Sequence, residues 1–260
     1  MEFTRSKERI SIIADDLGLN PAVNEGVIYL LKNGFISGAS LMANGTAFDD
    51  AIRRCLEVEL PNIGVHLVLV EEKPLVLKTL PKNHKIFFAK YILGLIKKSD
   101  IEKELEAQIN KCVTAGINLK FINSHQHLHL LPGIMDIVIS LAKKYGIPYI
   151  RIVNEPLGAG ENLFRKAQLI FLNFLSRIAK KMIIREGLRC NDFFVGFINA
   201  GNLSKKDIKS AKELSDKYPD KIIELGCHPG YENKDLRLKF KHWGNYNWQK
   251  ELNLLMGRYD

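Results

Sequence analysis

Four cysteines in 260 residues (Cys55, Cys112, Cys190 and Cys227) stand far apart and form no C-x-x-C pair. This scarcity excludes a thiolate zinc site and a disulfide framework, and makes a reducing, cytoplasmic setting the expected one. No apolar run approaches the roughly 18 residues needed to span a bilayer. The charged residues 1–9 lead only into the short run Ile10-Ser-Ile-Ile-Ala14, so no signal peptide is expected. Acidic residues are outnumbered, 29 against 38 basic, for a net charge of +9. Of this, +5 lies in residues 161–189, where seven cations meet two carboxylates. The remaining surplus is too thin for nucleic acid to be the expected partner, since a phosphate-tracking protein spreads its cations over a face with reading elements among them. The rest of the composition, 46% hydrophobic and 26% charged with 19 Gly and 9 Pro, is that of an ordinary globular chain and excludes disorder, collagen and coiled coil.

Short β-branched runs alternate with helix-period segments, the pattern of βα units and a parallel sheet. Strands are expected at residues 9–14, 37–43, 63–69, 121–124, 149–153, 193–197 and 222–226. Helices are expected at 101–115, 134–145, 164–185 and 205–217, with a further one opened by Asn20 and Pro21 and closed by Gly34. With no linker and no internal repeat, the reading is an α/β fold: a single irregular (βα) TIM-like barrel over residues 1–260, with a basic helical insertion at about 161–190. Residues 71–85, carrying Pro74, Pro81 and scattered lysines, read either as a lid or as a surface excursion.

In such a barrel the functional groups gather at the C-terminal ends of the strands. Asp15 and Asp16 follow the first strand here, His66 lies in the third, and His125, His127 and His129 follow residues 121–124. Arg151 lies in the fifth strand and His228 follows the last. Two histidines from separate strands plus a carboxylate suit a divalent metal. Adjacent aspartates on an extended backbone point apart, so one can ligate while the other reaches elsewhere. In an extended run, alternate residues share a face, so His125, His127 and His129 could all point into one cavity. Each residue also has an ordinary structural use: helix capping for the aspartates, a hydrogen-bonded core position for His66, a structural ion pair for Arg151, and a turn for His228.

The motifs Ala14-Asp-Asp-Leu-Gly18, Ser40-Leu-Met-Ala-Asn-Gly45, Gly64-Val-His-Leu67, Asn123-Ser-His-Gln-His-Leu-His-Leu-Leu-Pro132 and Cys227-His-Pro-Gly230 resemble, in order and spacing, the YdjC-like carbohydrate deacetylases. The likeness runs from residue 10 to about 232, and the family's irregular βα barrel agrees with the reading above. It implies one divalent metal ion, Mg2+ or Zn2+, held by Asp16, His66 and His125. It also implies Asp15 as general base, His228 as general acid and Arg151 as the residue that orients Asp15. His127, Asn44 and Glu155 are the substrate-binding candidates, with an exchange of roles between His125 and His127 left open. Leu17 stands where the family usually has Phe.

The implied reaction is hydrolysis of an N-acetyl group on a sugar, chitooligosaccharide-like or lipid-linked, by a homodimeric enzyme. The alternatives are a metal-dependent phosphodiesterase or nuclease, which needs more carboxylates than this chain places at its strand ends, and a non-catalytic carbohydrate-binding barrel. Residues 164–189 mix apolar residues with cations, so they read as a helix packed on the barrel, as a segment lying at an anionic membrane surface, or as a cover over the active site.

Overall fold

A computed structural model describes residues 10–58, 62–158, 163–244 and 246–257; the charged residues 1–9 and the first two residues of the basic stretch, 161 and 162, lie outside them. The chain forms an α/β fold around a six-stranded, all-parallel sheet in the order β4-β3-β2-β1-β6-β5. The strands are β1 (Ile10–Leu17), β2 (Gly38–Leu41), β3 (Ile63–Leu67), β4 (Ile122–Ser124), β5 (Phe193–Val195) and β6 (Ile223–Cys227). Residues of β2, β3, β4 and β6 are buried throughout, as expected of parallel strands covered on both faces.

The helices α1 (Pro21–Lys32), α2 (Phe48–Val58), α3 (His84–Ile92), α4 (Lys98–Thr114), α5 (Ile134–Lys144), α6 (Leu163–Arg185), α7 (Lys205–Lys217), α8 (Lys234–Lys239) and α9 (Trp248–Leu255) complete the fold. Asn20 caps α1 through the Ala22 N–H, with Pro21 in its first turn, as the sequence implies. The main apolar core includes Val23, Val27 and Leu30 of α1, Ala39 and Leu41 of β2 and Leu225 of β6, and Ile13, Phe121 and Tyr149 form a small separate cluster.

The α/β fold and parallel sheet are as expected, but the sheet of the irregular TIM-like barrel is open, a six-stranded half-barrel. Residues 149–153 form no strand. The extended segment touches β4 through an isolated bridge between Ile122 and Ile150, and meets residue 189 through another at Tyr149. Beyond Arg151 most of its backbone groups are taken by side chains: Asn191 bonds both the N–H and the carbonyl of Ile152, Ser176 Oγ accepts from Val153 N at 2.9 Å, and Asn173 Oδ1 accepts from Glu155 N, while the Asn154 carbonyl accepts from Phe194 N. A buried backbone group needs a partner, not specifically a neighbouring strand, and here side chains supply it. The 71–85 loop is also more regular than expected at its end, where Asn83 caps α3 through the Ile86 N–H.

The loops above β1 and β2 are held together tightly. Gly45 is required there because a Cβ would stand 2.3 Å from the Gly18 carbonyl oxygen. Asn24 of α1 accepts from Gly18 N at 2.6 Å and donates to Ala47 O and Asp50 Oδ2. This latch fixes the turn that carries the two aspartates.

Candidate active site

The ends of β1, β2, β3 and β4 bring Asp15, Ser40, His66 and Asn123 side by side in one buried row, with His66 and Asn123 directly paired across β3 and β4. Asp15 Oδ1 accepts from Ser40 Oγ at 2.8 Å and from Asn123 Nδ2 at 2.9 Å, and Oδ2 accepts from Arg151 Nη1 at 2.5 Å. The guanidinium of fully buried Arg151 bridges from Asp15 to Glu224 on β6, which accepts from its Nε. Burial alone would raise the Asp15 carboxyl; the charge and hydrogen bond of Arg151, together with His66, outweigh it and hold Asp15 well below the usual carboxylate range.

Asp16 has the opposite surroundings. Its backbone is left-handed (φ 65°) at an irregularity in the pairing of β1 with β2, so the two carboxylates diverge through a local twist rather than through simple strand alternation. Both of its carboxylate oxygens are buried and have no hydrogen-bond partner, as is His66 Nε2. Burial pushes the Asp16 carboxyl up to about 7, against the pull of His125.

One ligand atom each from Asp16, His66 and His125 lie within 4.8 Å of one another. His66 Nε2 is 3.4 Å and His125 Nδ1 is 3.8 Å from Asp16 Oδ1. The other nitrogen of each ring is engaged. Asn123 gives its amide N–H to Asp15, so its Oδ1 is the acceptor for His66 Nδ1–H at 2.7 Å, which leaves the Nε2 lone pair free. His125 Nε2 faces Glu71 Oε2 at 3.3 Å. This is the arrangement of metal-ligating imidazoles, oriented by acceptors behind them. A buried carboxylate lacking any donor, beside a histidine lone pair, fits a divalent cation; Asp16, His66 and His125 could hold one.

The histidine run departs from its expected extended form. Residues His125–Leu130 form a 3₁₀ turn with Gln126 and His127 left-handed (φ 56° and 54°), so the three histidines diverge. His125 joins the cluster. His127 packs between the rings of Phe194 and Phe197 at 5.7 and 5.8 Å, and burial pushes its ring well down in proton affinity. His129, pushed down to about 4 by burial, faces Ser124 Oγ at 2.6 Å and the Arg151 carbonyl at 2.8 Å, and thereby anchors the backbone of the arginine.

His228, at the end of β6, is partly buried. Burial brings it down to about 4, against Asp15. Its backbone N–H donates to Glu251 Oε2 at 2.5 Å, its Nδ1 lies 4.0 Å from the same oxygen, and its ring meets Tyr246 edge-on at 5.2 Å. Asn44 donates to the Lys73 carbonyl at 3.0 Å, pinning the loop, while its buried Oδ1 has no partner. The Glu155 carboxylate accepts from Phe197 N at 2.7 Å and Ile198 N at 3.4 Å and latches that turn.

Glu71 and Trp243 escaped the sequence reading. Trp243 Nε1 donates to Glu71 Oε2 at 2.6 Å, and its indole stacks on His125 at 5.2 Å. Glu71 lies in a loop and Trp243 in a short 3₁₀ turn (Lys241–Trp243), neither with a periodic pattern; for Glu71 the one signal was the irregularity of residues 71–85. Beside them opens a cavity of about 600 Å³, lined by Glu71, Trp243 and Tyr246 and by the cationic Lys82, Lys85 and Arg165.

The model of the family described as YdjC-like protein matches residues 9–258. A carbohydrate deacetylase of Clostridium beijerinckii is 30% identical over 231 residues, covering 86% of this chain and 82% of the relative. One of Vibrio parahaemolyticus is 27% identical over 246 residues, covering 93% and 84%. One of Oceanobacillus iheyensis is 32% identical over 145 residues, covering 54% of this chain and 63% of that protein, a little under two thirds of its length. Among solved structures, a protein from Enterococcus faecalis V583 superposes with a TM-score of 0.68 at 20% identity over 95% of this chain and 89% of that one, which supports the fold. A family match from end to end, over a fold and motifs that agree with it, places this chain in the YdjC-like protein family.

Proposed function

We propose that this protein is a metal-dependent hydrolase that removes the acetyl group from an N-acetylated sugar, yielding acetate and the free amine. The observation that carries the reading is the pairing of an Asp16–His66–His125 cluster, its ligand atoms bare and buried, with an Asp15 carboxylate held ionised beside it. The relatives named carbohydrate deacetylase support the substrate class. The four free, buried cysteines are consistent with a reducing cytoplasm.

A bound Mg2+ or Zn2+ would acidify a water and polarise the amide carbonyl. Asp15 then serves as the proton acceptor. Arg151, Ser40 and Asn123 fix its orientation and keep it ionised at any physiological pH, at the expense of basicity. His228 is neutral before reaction, because its folded pKa lies near 4. Its part is therefore to receive the proton that Asp15 removes from the water and deliver it to the departing nitrogen as the C–N bond breaks, while Glu251 holds its backbone in place. His127 and the phenyl rings around it form a wall for the sugar, and Asn44 holds the loop that carries Lys73. Asp16, His66 and His125 would leave a bound ion open to water and substrate, and one such cluster among the described residues favours single-metal hydrolysis over the multi-metal chemistry of nucleases.

Separating metal from base tests the reading. Asp15→Asn should retain a stoichiometric divalent ion by elemental analysis and lose acetate release by about 10³-fold or more. His66→Ala should lose the ion itself. Turnover by Asp15→Asn at the wild-type rate would refute the base assignment, and full metal content in His66→Ala would refute the ligand set.

A further inference from the structure

No helix among the described residues is long and apolar enough to cross a membrane, yet one face of the protein is unusually apolar for a surface. Helix α6 buries Leu169, Leu175, Ala179 and Ile183 on one side and exposes Phe164, Ile170, Phe171, Phe174 and Ile178 on the other. The outer residues 164, 171, 174 and 178 recur at three- to four-residue spacing with a single step of seven, so they form one stripe along the helix. Helix α3 lies beside it. Phe88 meets Phe171 edge-on at 5.9 Å, and Lys85 Nζ stands 5.4 Å from the centre of the Phe164 ring. Just past α3 the chain turns outward with Leu93 71% and Leu95 68% exposed. Isolated exposed apolar residues are ordinary, but two adjacent elements presenting them together are not.

Charge selects the occupant. Residues 73–99 contain seven lysines and no Asp or Glu, and α6 contains six lysines and arginines and no Asp or Glu. Two copies of such a face would repel each other, which argues against a dimer interface there. Aromatic and aliphatic side chains interleaved with cations match a bilayer interface bearing anionic headgroups, where the apolar groups enter the acyl boundary and the cations meet phosphate.

We infer that the α3–α6 face docks this protein peripherally on anionic membranes. Lys85 and Arg165 belong both to this face and to the lining of the cavity, so docking sets the cavity mouth beside the lipid surface. Arg165 also ties the start of α6 to the site, donating to the Phe197 carbonyl with its guanidinium 4.0 Å from the centre of that ring. The docking does not depend on the hydrolase assignment, and its test requires no turnover.

The test is flotation of the full chain with vesicles of phosphatidylcholine alone or mixed with phosphatidylglycerol. The protein should float with the anionic vesicles at low salt, stay behind with phosphatidylcholine alone, and be released as salt is raised. The combined variant Leu93→Ser, Leu95→Ser, Phe174→Ser should partition roughly tenfold or more weakly. Lys90→Glu with Lys181→Glu, which leaves the apolar stripe intact, should do the same if the triple variant folds poorly. Absence of flotation at low salt, equal flotation with neutral vesicles, or unchanged flotation of a folded variant would overturn the inference. So would sedimentation showing a wild-type dimer that the triple substitution splits, since that would assign the face to a second copy.

Discussion

Asp15 and Asp16 are neighbours in the chain whose environments pull their proton affinities apart, one downward by Arg151 and the other up to about 7 by burial without donors. Adjacent carboxylates with divergent affinities are suited to divergent tasks, proton acceptance and cation binding. Arg151 is the residue on which this contrast rests, because it is fully buried between two carboxylates. Its replacement by Met should destabilise the fold by about 3–5 kcal/mol, read as a shift in the denaturant midpoint, because Asp15 and Glu224 would be left buried and uncompensated. Unchanged stability would mean that water reaches both carboxylates.

At the scale of elements, the segment between β4 and β5 is the instructive one. Asn191 is buried and makes hydrogen bonds to both backbone groups of Ile152 and to the Phe193 carbonyl. Asn191→Ala should therefore cost about 3 kcal/mol in denaturant unfolding, through backbone groups left without partners. Nearby Glu155 is raised to about 7 by burial, against the backbone hydrogen bonds that lower it. A carboxyl whose folded pKa exceeds its unfolded value binds more protons when folded, so its contribution falls as pH rises from about 4.5 to about 7. Glu155→Gln should flatten the stability profile across that window by at most about 3 kcal/mol. An unchanged profile would show that Glu155 titrates in the folded protein as it does in the unfolded chain.

This segment also marks how far the sequence could be read. Its β-branched residues predict a strand, but hydrogen bonding from Asn191, Ser176 and Asn173, distant in sequence, replaces the ladder. The six remaining strands and the long helices α4 to α7 follow from local periodicity and were legible. Asp15, Asp16, His66 and His125 were legible as polar residues at strand ends. The divergence of His125 from His127 was not, because it depends on two left-handed residues that no alternation pattern signals. Glu71 and Trp243, 172 positions apart, meet only through the packing of irregular loops.

Across the whole molecule, the site is assembled from strand ends that the core holds in register, so its groups are in place before a ligand arrives. A cation bound only by the folded protein adds stability by mass action, about 2.7 kcal/mol at a hundredfold excess over Kd. For a chain of this size that corresponds to a rise in Tm of about 5–10 °C. Chelated protein should show the rise on addition of Mg2+ or Zn2+, and Asp16→Ala should not; an equal rise in that variant would place the ion elsewhere. The central claim is tested most directly by acetate release from a panel of N-acetylated sugars, from monosaccharide through chitooligosaccharides to a lipid-linked amino sugar, before and after chelation and after reloading with each metal. The account predicts release that chelation abolishes and a divalent ion restores. Release that persists in fully chelated protein, or none from any sugar by protein carrying its metal, would contradict it.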